Sequence, residues 1–462
     1  GANSAADTGF SVANSCRFDD GSSAYMHITP GSAGNSKTFT FSTWIKRSSG
    51  AGTISLFEAF TDSNNRSLFY FDTDDFLSFF DRATNLAWTT NMKFRDFSAW
   101  YNIILAVDTT DGTATNRVHI YVNGSEVSYS NYDTMTEDAD FKVCSDTIHY
   151  FAARGAVQSY FDGYMAETVL IDGSQLTPSS FGEFSEDSPN VWMPKDVSGL
   201  TFGTNGFYLD YEASDNLGND ANLTEVNLAA TDSSTDSPTN NFATLNPLIA
   251  QGGTAPTMSE GNLKIAMGST AWSGQRPSTI VVNKGKWYVE CFIHTLSSAG
   301  QYSIFGIQGV DDLNFDHSVL AISAAQGLAM ALDNRVDQTL IQGNDATILD
   351  PNIDPDDDDI VGMALDLDNG KVYFHLNGTY TNSGDPTSGA TGTGATDVPT
   401  ADIDYFITLA TYSSAVVSIN FGGTSVSAIS SANQDGNGYG NFEFAVPANY
   451  YSLCTKNLAE YG

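Results

Sequence analysis

Carboxylates are the side chains in this sequence most able to do chemistry, and their spacing decides which chemistry. A glycoside hydrolase needs two carboxyl groups flanking the scissile bond, about 5 Å apart in retaining enzymes. On a sheet such a pair is expected as E-x-D-x-E or E-x-D-x-x-E along one strand, because alternate residues share a face. No such string occurs. Glu167 stands alone in Met165-Ala-Glu-Thr168, and Asp366 and Asp368 share a face but border a tight turn beside Lys371. Three acidic runs invite a calcium reading: Asp354-Pro-Asp-Asp-Asp-Asp359, Asp72-Thr-Asp-Asp75 and Asp311-Asp-Leu-Asn-Phe-Asp316. Calcium needs oxygen ligands that converge from a loop. Near-consecutive acids tend to point apart, so solvated turns that keep strand edges from pairing are the expectation, with calcium as the alternative.

Other catalytic and cofactor patterns are missing. Gly-x-Ser-x-Gly and a Walker Gly-Lys-Ser/Thr are absent, and the six histidines show no H-x-x-x-H spacing for zinc. Cys16, Cys144, Cys291 and Cys454 are far apart with no C-x-x-C, which reads as buried free thiols, an inter-sheet disulfide being left open. The Asn-x-Ser/Thr sites at Asn65, Asn123, Asn222 and Asn377 match glycosylation acceptors, but Asn123 and Asn377 sit where tight turns favour asparagine. The expectation is a chain with no catalytic residue, no cofactor, no metal site and no assignable ligand-binding residue. Loop-tip aromatics are the exception worth following: Tyr129, Tyr132 and Tyr439 are candidates to stack on sugars, against plain loop packing.

Charge narrows the partners. Of 462 residues, 55 are Asp or Glu and only 19 are Lys or Arg, for a net charge of -36. The acidity comes from missing bases, which argues against nucleic acid and against anionic membrane surfaces. Repulsion of this size is easier to tolerate in salt. No apolar run reaches the ~20 residues of a membrane span. Gly1-Ala-Asn-Ser-Ala-Ala-Asp7 lacks the basic end and apolar core of a signal peptide, so either the usual secretory route is not used or processing precedes this numbering.

The elements that must position any site read as short strands separated by Gly, Asn, Asp and Ser turns, without an amphipathic helix. Thr38-Phe-Thr-Phe-Ser-Thr-Trp-Ile45 alternates, with Phe39, Phe41 and Thr43 on one side and Thr40, Ser42 and Trp44 on the other. The chain centres on Val361–Gly378. There Asn369-Gly370 predicts a two-residue type I′ hairpin turn, which pairs Leu367 with Val372, Leu365 with Phe374 and Met363 with Leu376 on a dry face. The wet face then pairs Asp368 with Lys371, Asp366 with Tyr373 and Ala364 with His375. Ala106–Gly124 repeats the same grammar with a longer turn, by convergence or by homology. The run 383–396 holds only small and polar residues and predicts a mobile surface loop.

Gly362, Ala364, Asp366, Asp368, Gly370, Phe374, Asn377 and Gly378 resemble the hairpin of SPRY (B30.2-like) domains, which implies a concanavalin-like sandwich that binds partners and usually catalyses nothing. Gly163, Met165, Ala166, Glu167, Thr168 and Leu170, with Trp44 and Trp100, resemble the returning strand of laminin-G-like, concanavalin-like jelly rolls. The expected fold is therefore all-β: two concanavalin-like antiparallel β-sandwiches, 1–185 laminin-G-like and 256–462 SPRY-like, joined by an ordered bridge, 186–255. The stretch Gly203–Pro247, set between these halves, resembles bacteriophage virion proteins. That resemblance implies a non-enzymatic protein on the particle surface, tail or capsid, assembled in the host cytoplasm. It implies attachment to a host-surface glycan or protein, or else a purely structural decoration or adaptor bound to other virion proteins. A homo-oligomer is plausible by analogy with fibres, and a glycoside hydrolase is the weakest alternative.

Overall fold

The structure is a computed structural model that describes residues 9–50, 52–155, 157–213, 215–249, 254–268, 273, 275–296, 302–310, 327–333, 340–342, 346–349 and 353–462. The acidic run Asp311–Asp316 lies outside the described residues. Chain contacts divide the protein into two units, Gly1–Asn241 and Phe242–Gly462. Each is an antiparallel β-sandwich, as the alternation and turn residues predict. The one α-helix among the described residues, Thr455–Tyr461, is short, and none is long and apolar enough to cross a membrane.

In the first unit, two eight-stranded sheets among the described residues face each other. One has Thr38–Arg47 at its centre, between Tyr101–Asp108 and Gly163–Asp172. The other runs Leu86–Lys93, Phe76–Asp81, Asn65–Phe71, Ile54–Asp62, Ile148–Phe151 and Tyr25–Ile28, with short strands at both ends. Phe39 and Phe41 point into the main core, as the alternation requires. The opposite side of that strand is not solvent. Trp44 packs with Trp100, Tyr164 and Trp192, and Ile104, Val169 and Ile171 pack with Phe181 and Val197, so later chain covers the sheet's outer face.

That covering corrects the expected bridge. Most of 186–255 is built into the first sandwich: Phe207–Leu209 pairs with Gly163–Asp172, Thr224–Val226 with Tyr25–Ile28, and Ser233–Ser234 with Ser15–Phe18. The segment reads as a linker because its strands are only two or three residues long, too short for alternation to show. The first unit thus extends past the expected boundary at 185, and the second begins at Phe242 rather than 256.

The hairpin of the second unit forms, but two residues out of the expected register. Asp366 pairs with Lys371, Leu365 with Val372, Met363 with Phe374 and Val361 with Leu376. A type I′ turn needs positive φ at both central residues, and here Gly370 alone of the pair has it (φ 64). Asp366 instead accepts from the Asn369 amide (3.0 Å) and side-chain nitrogen (2.8 Å), closing a four-residue loop. A shift of two leaves every side chain on its predicted face, since sheet faces alternate with period two. The face expected to be wet is nevertheless buried: Ala364 and Tyr373 pack with Phe442 and Tyr450, and His375 packs against Tyr380 and Phe444. The run 383–396, expected to be a mobile loop, carries a 3-10 segment, Pro386–Thr391, and ends in a short strand, Thr396–Asp397, that pairs with Lys371–Leu376. Tyr450 donates to the Pro386 carbonyl there (3.1 Å). All four cysteines are free and buried.

Candidate functional site

The second sheet of the first unit shows how one strand set makes both a core and a site. One row of paired residues, Met26, Phe151, Phe57, Phe69, Phe79 and Trp88, is fully buried between the sheets. The next row in register, His27, Tyr150, Glu58, Leu68, Phe80 and Ala87, must face the other way because successive side chains alternate. Its aromatic end gathers into a platform. Tyr25 lies 5.9 Å from His27, 6.0 Å from Tyr150 and 6.2 Å from Tyr160, ring centre to ring centre, and Phe60 meets Tyr150 at 6.4 Å. All five are part-exposed. Among the described residues, no hydrogen-bond partner is seen for the side chains of Tyr25, His27 or Tyr150.

A buried charge group anchors this platform. Glu58 is fully buried, accepts from the Gly155 amide and lies 3.4 Å from Arg66. Burial pushes its carboxyl up, against the opposing pull of Gly155, Arg66 and Arg154. These contacts pin the loop that carries Tyr160 against strand Ile54–Asp62. The sequence reading missed the platform, because its rings come from four separate segments. The signal it contained was alternation in Tyr25-Met-His-Ile28 and Ile148-His-Tyr-Phe151.

The residues singled out from sequence fall elsewhere. Tyr129 and Tyr132 come together edge to face at 5.0 Å, but their hydroxyls are used internally: Tyr129 accepts from the Ile120 amide and Tyr132 donates to the Val118 carbonyl. Tyr439 lies under the Lys456 ammonium, 5.6 Å from its ring centre. Asp75 is held by Arg47 and Arg95, both at 3.0 Å, and Asp72 caps its own turn at the Asp74 and Phe76 amides. Asp357 accepts from the Leu296 amide, and Asp359 from the Asp356 amide and from Asn377. Asp72, Asp357 and Asp359 thus clamp turns and loop backbone, while Asp75 is buried in its ion pairs. Among the described residues the acids that do converge are Asp19, Asp20 and Asp162, whose ligand atoms lie within 4.8 Å of one another. Asn123 and Asn377 occupy left-handed turn positions (φ 47 and 48), the chemistry expected of them.

Glu167 is not isolated. It sits at a bulge in Gly163–Asp172 with φ 48, buried, and accepts from the Tyr208 hydroxyl at 2.7 Å. Burial drives its carboxyl up to about 8. In the second unit Glu290 is also buried and is pushed up to about 7, chiefly by desolvation. It accepts from Tyr288 (3.0 Å) and from the Glu443 and Phe444 amides, and Tyr288 also meets His375 Nε2 at 2.7 Å. Both folded carboxyls therefore hold their protons to higher pH than the unfolded chain does. The stability each contributes is full below about 4.5, the ordinary glutamate value, and is lost as pH rises through its folded pKa. Melting temperature is expected to fall between pH 5 and pH 8.5 at constant salt. Glu167→Gln should flatten that fall, which separates it from the repulsion of the net charge; an unchanged pH profile in the variant refutes the assignment.

With this geometry in view, sequence comparison adds one match. Residues 20–179 match a laminin-G family model described as the concanavalin A-like lectin/glucanases superfamily. The match covers the strands that carry the platform. No curated protein matches the chain. Among solved structures, the SPRY domain of human HERC1 is 14% identical (TM-score 0.28), covering 40% of this chain and 99% of that one. Domains LG4-5 of the mouse laminin alpha1 chain are 8% identical (TM-score 0.28), covering 89% of each chain. The Ruminococcus gnavus IT-sialidase CBM40, bound to alpha2,3 sialyllactose, is 16% identical (TM-score 0.23), covering 28% of this chain and 73% of that one. Similarity at this level carries no inference about ligands.

Proposed function

We propose that this protein is a non-enzymatic binding protein whose first sandwich holds a glycan on the outer face of its second sheet. The observation that carries this reading is the platform of Tyr25, His27, Phe60, Tyr150 and Tyr160: part-exposed rings, all but Phe60 with a polar edge, flanked in the same row by the buried Glu58, which pairs with Arg66. Sugars offer C–H faces to such rings and hydroxyls to their polar edges. The match of residues 20–179 to a lectin and glucanase superfamily supports the same reading. A hydrolase would need a second carboxyl group at working distance across a cleft. Glu58, Glu167 and Glu290 are each buried and engaged by donors within the fold, which favours binding over turnover.

The proposed setting is the surface of a bacteriophage particle, on tail or capsid, where many copies engage a host-surface glycan by avidity. Its support is the sequence resemblance at Gly203–Pro247. Neighbouring virion proteins are the other proposed partners. The full chain applied to a glycan array and to whole cells tests the function. Tyr150→Ala is expected to weaken binding by about tenfold, the equivalent of about 1.4 kcal/mol, with melting unchanged. Clean failure to bind any glycan or cell would instead favour a structural decoration or adaptor.

A further inference from the structure

Chain outside the family match builds a second concave surface on the first sandwich. Residues 198–210 and 221–222 meet the loop after strand Tyr25–Ile28 and leave an open cavity of about 700 Å³. Its walls include Phe202, Thr204, Asn205, Tyr208, Asp210 and Asn222. None of these belongs to the aromatic platform.

Several features give the cavity a chemical character. The rings of Phe202 and Tyr208 are nearly parallel, at 17°, with centres 6.3 Å apart. Tyr208 is not free to swing, because its hydroxyl donates to the buried Glu167. The Asn205 side-chain nitrogen donates to the Ser32 and Cys144 carbonyls, at 2.9 and 2.8 Å. That fixes the amide, and among the described residues no donor reaches its Oδ1. Asp210 accepts from the Glu212 amide through one oxygen, at 2.9 Å. Among the described residues that line the cavity, Asp210 is charged and there is no lysine, arginine or histidine. An anionic ligand would meet repulsion with nothing to offset it. A purely apolar ligand would strip water from acceptors it cannot satisfy.

We propose that this cavity is a second saccharide site that takes a neutral sugar, its C–H face against Phe202 and Tyr208 and its hydroxyls donating to Asn205 and Asp210. The site is independent of the platform, so one protein would hold a glycan at two separate points.

The test uses the full chain and saturation-transfer NMR with neutral tetrasaccharides of glucose, galactose and mannose, and with sialyllactose and tetramethylammonium as charged comparisons. At least one neutral tetrasaccharide is expected to bind. Phe202→Ala and the cavity-filling Thr204→Trp should each weaken that binding at least tenfold when Tyr150→Ala is already present. Thr204 is exposed, so the second variant keeps the test sound if the first fails to fold. Three results overturn the proposal: no neutral saccharide binds the Tyr150→Ala protein, binding survives Thr204→Trp, or only a charged comparison binds. Loss of binding in Tyr150→Ala alone, with the cavity variants unaffected, would uphold the platform and remove the cavity.

Discussion

Replacing Asp236 with alanine is expected to destabilise the first sandwich by about 3–5 kcal/mol, the cost of leaving a buried charge without its partner. Lys46 and Asp236 meet at 2.7 Å with side chains only 1% and 2% exposed. The other Asp236 oxygen accepts from the Trp100 indole at 3.1 Å, and the Asp236 carbonyl accepts from Ser15 at 2.6 Å. Lys46 also donates to Asn241 at 2.7 Å. The carboxylate thus ties the late segment of the unit to Lys46 and Trp100, and the backbone carbonyl of the same residue ties it to Ser15. Urea unfolding followed by tryptophan fluorescence reads the change directly, since Trp44 and Trp100 pack in the adjoining cluster. The double variant Lys46→Met/Asp236→Leu should recover much of the loss, because an apolar pair needs no compensation for buried charge. If the double variant is as unstable as the two single losses summed, the ion pair is not the cause.

Gly362→Ala is expected to destabilise the second sandwich by about 1–3 kcal/mol, the range for forcing one extra carbon into a packed core. A Cβ there would stand 1.9 Å from His375 Nε2 and 2.4 Å from its Cε1. The imidazole has little room to yield. It stacks near Tyr288 at 5.9 Å, meets Tyr380 and Phe444 edge-on at 5.2 and 5.3 Å, and accepts from the Gly378 amide at 3.1 Å. Moving it also breaks the bond to the Tyr288 hydroxyl. Thermal melting of Gly362→Ala, His375→Ala and the double variant forms the cycle that checks this. The losses should be less than additive, because residues in contact share one cost. Strict additivity would show that the glycine and the histidine do not constrain each other.

Gly362 also shows how far the linear chain can be read. Its place in the SPRY-like pattern was visible, as was the alternation that puts Met363 and Leu365 in the core. The physical contact that demands a glycine was not, because His375 reaches it only after the hairpin closes. The hairpin register itself slipped by two, since Asn369-Gly370 signals a tight turn while the Asp366 side chain favours a longer one. The faces survived that slip because parity did.

What the sequence alone determined is the class of object: antiparallel sandwiches with aromatic cores, buried thiols and a strongly acidic composition. Strand periodicity and composition are local properties, so they survive without knowledge of the fold. The tertiary structure alone decided what covers each sheet. It moved 186–241 into the first sandwich, laid 383–396 and Tyr450 over a face that reads as wet, and gave Glu167 a phenol partner. It also assembled Tyr25, His27, Phe60, Tyr150 and Tyr160 from segments far apart in the chain. A strand pattern states which residues share a side; only long-range pairing states which neighbour, or which solvent, that side will meet.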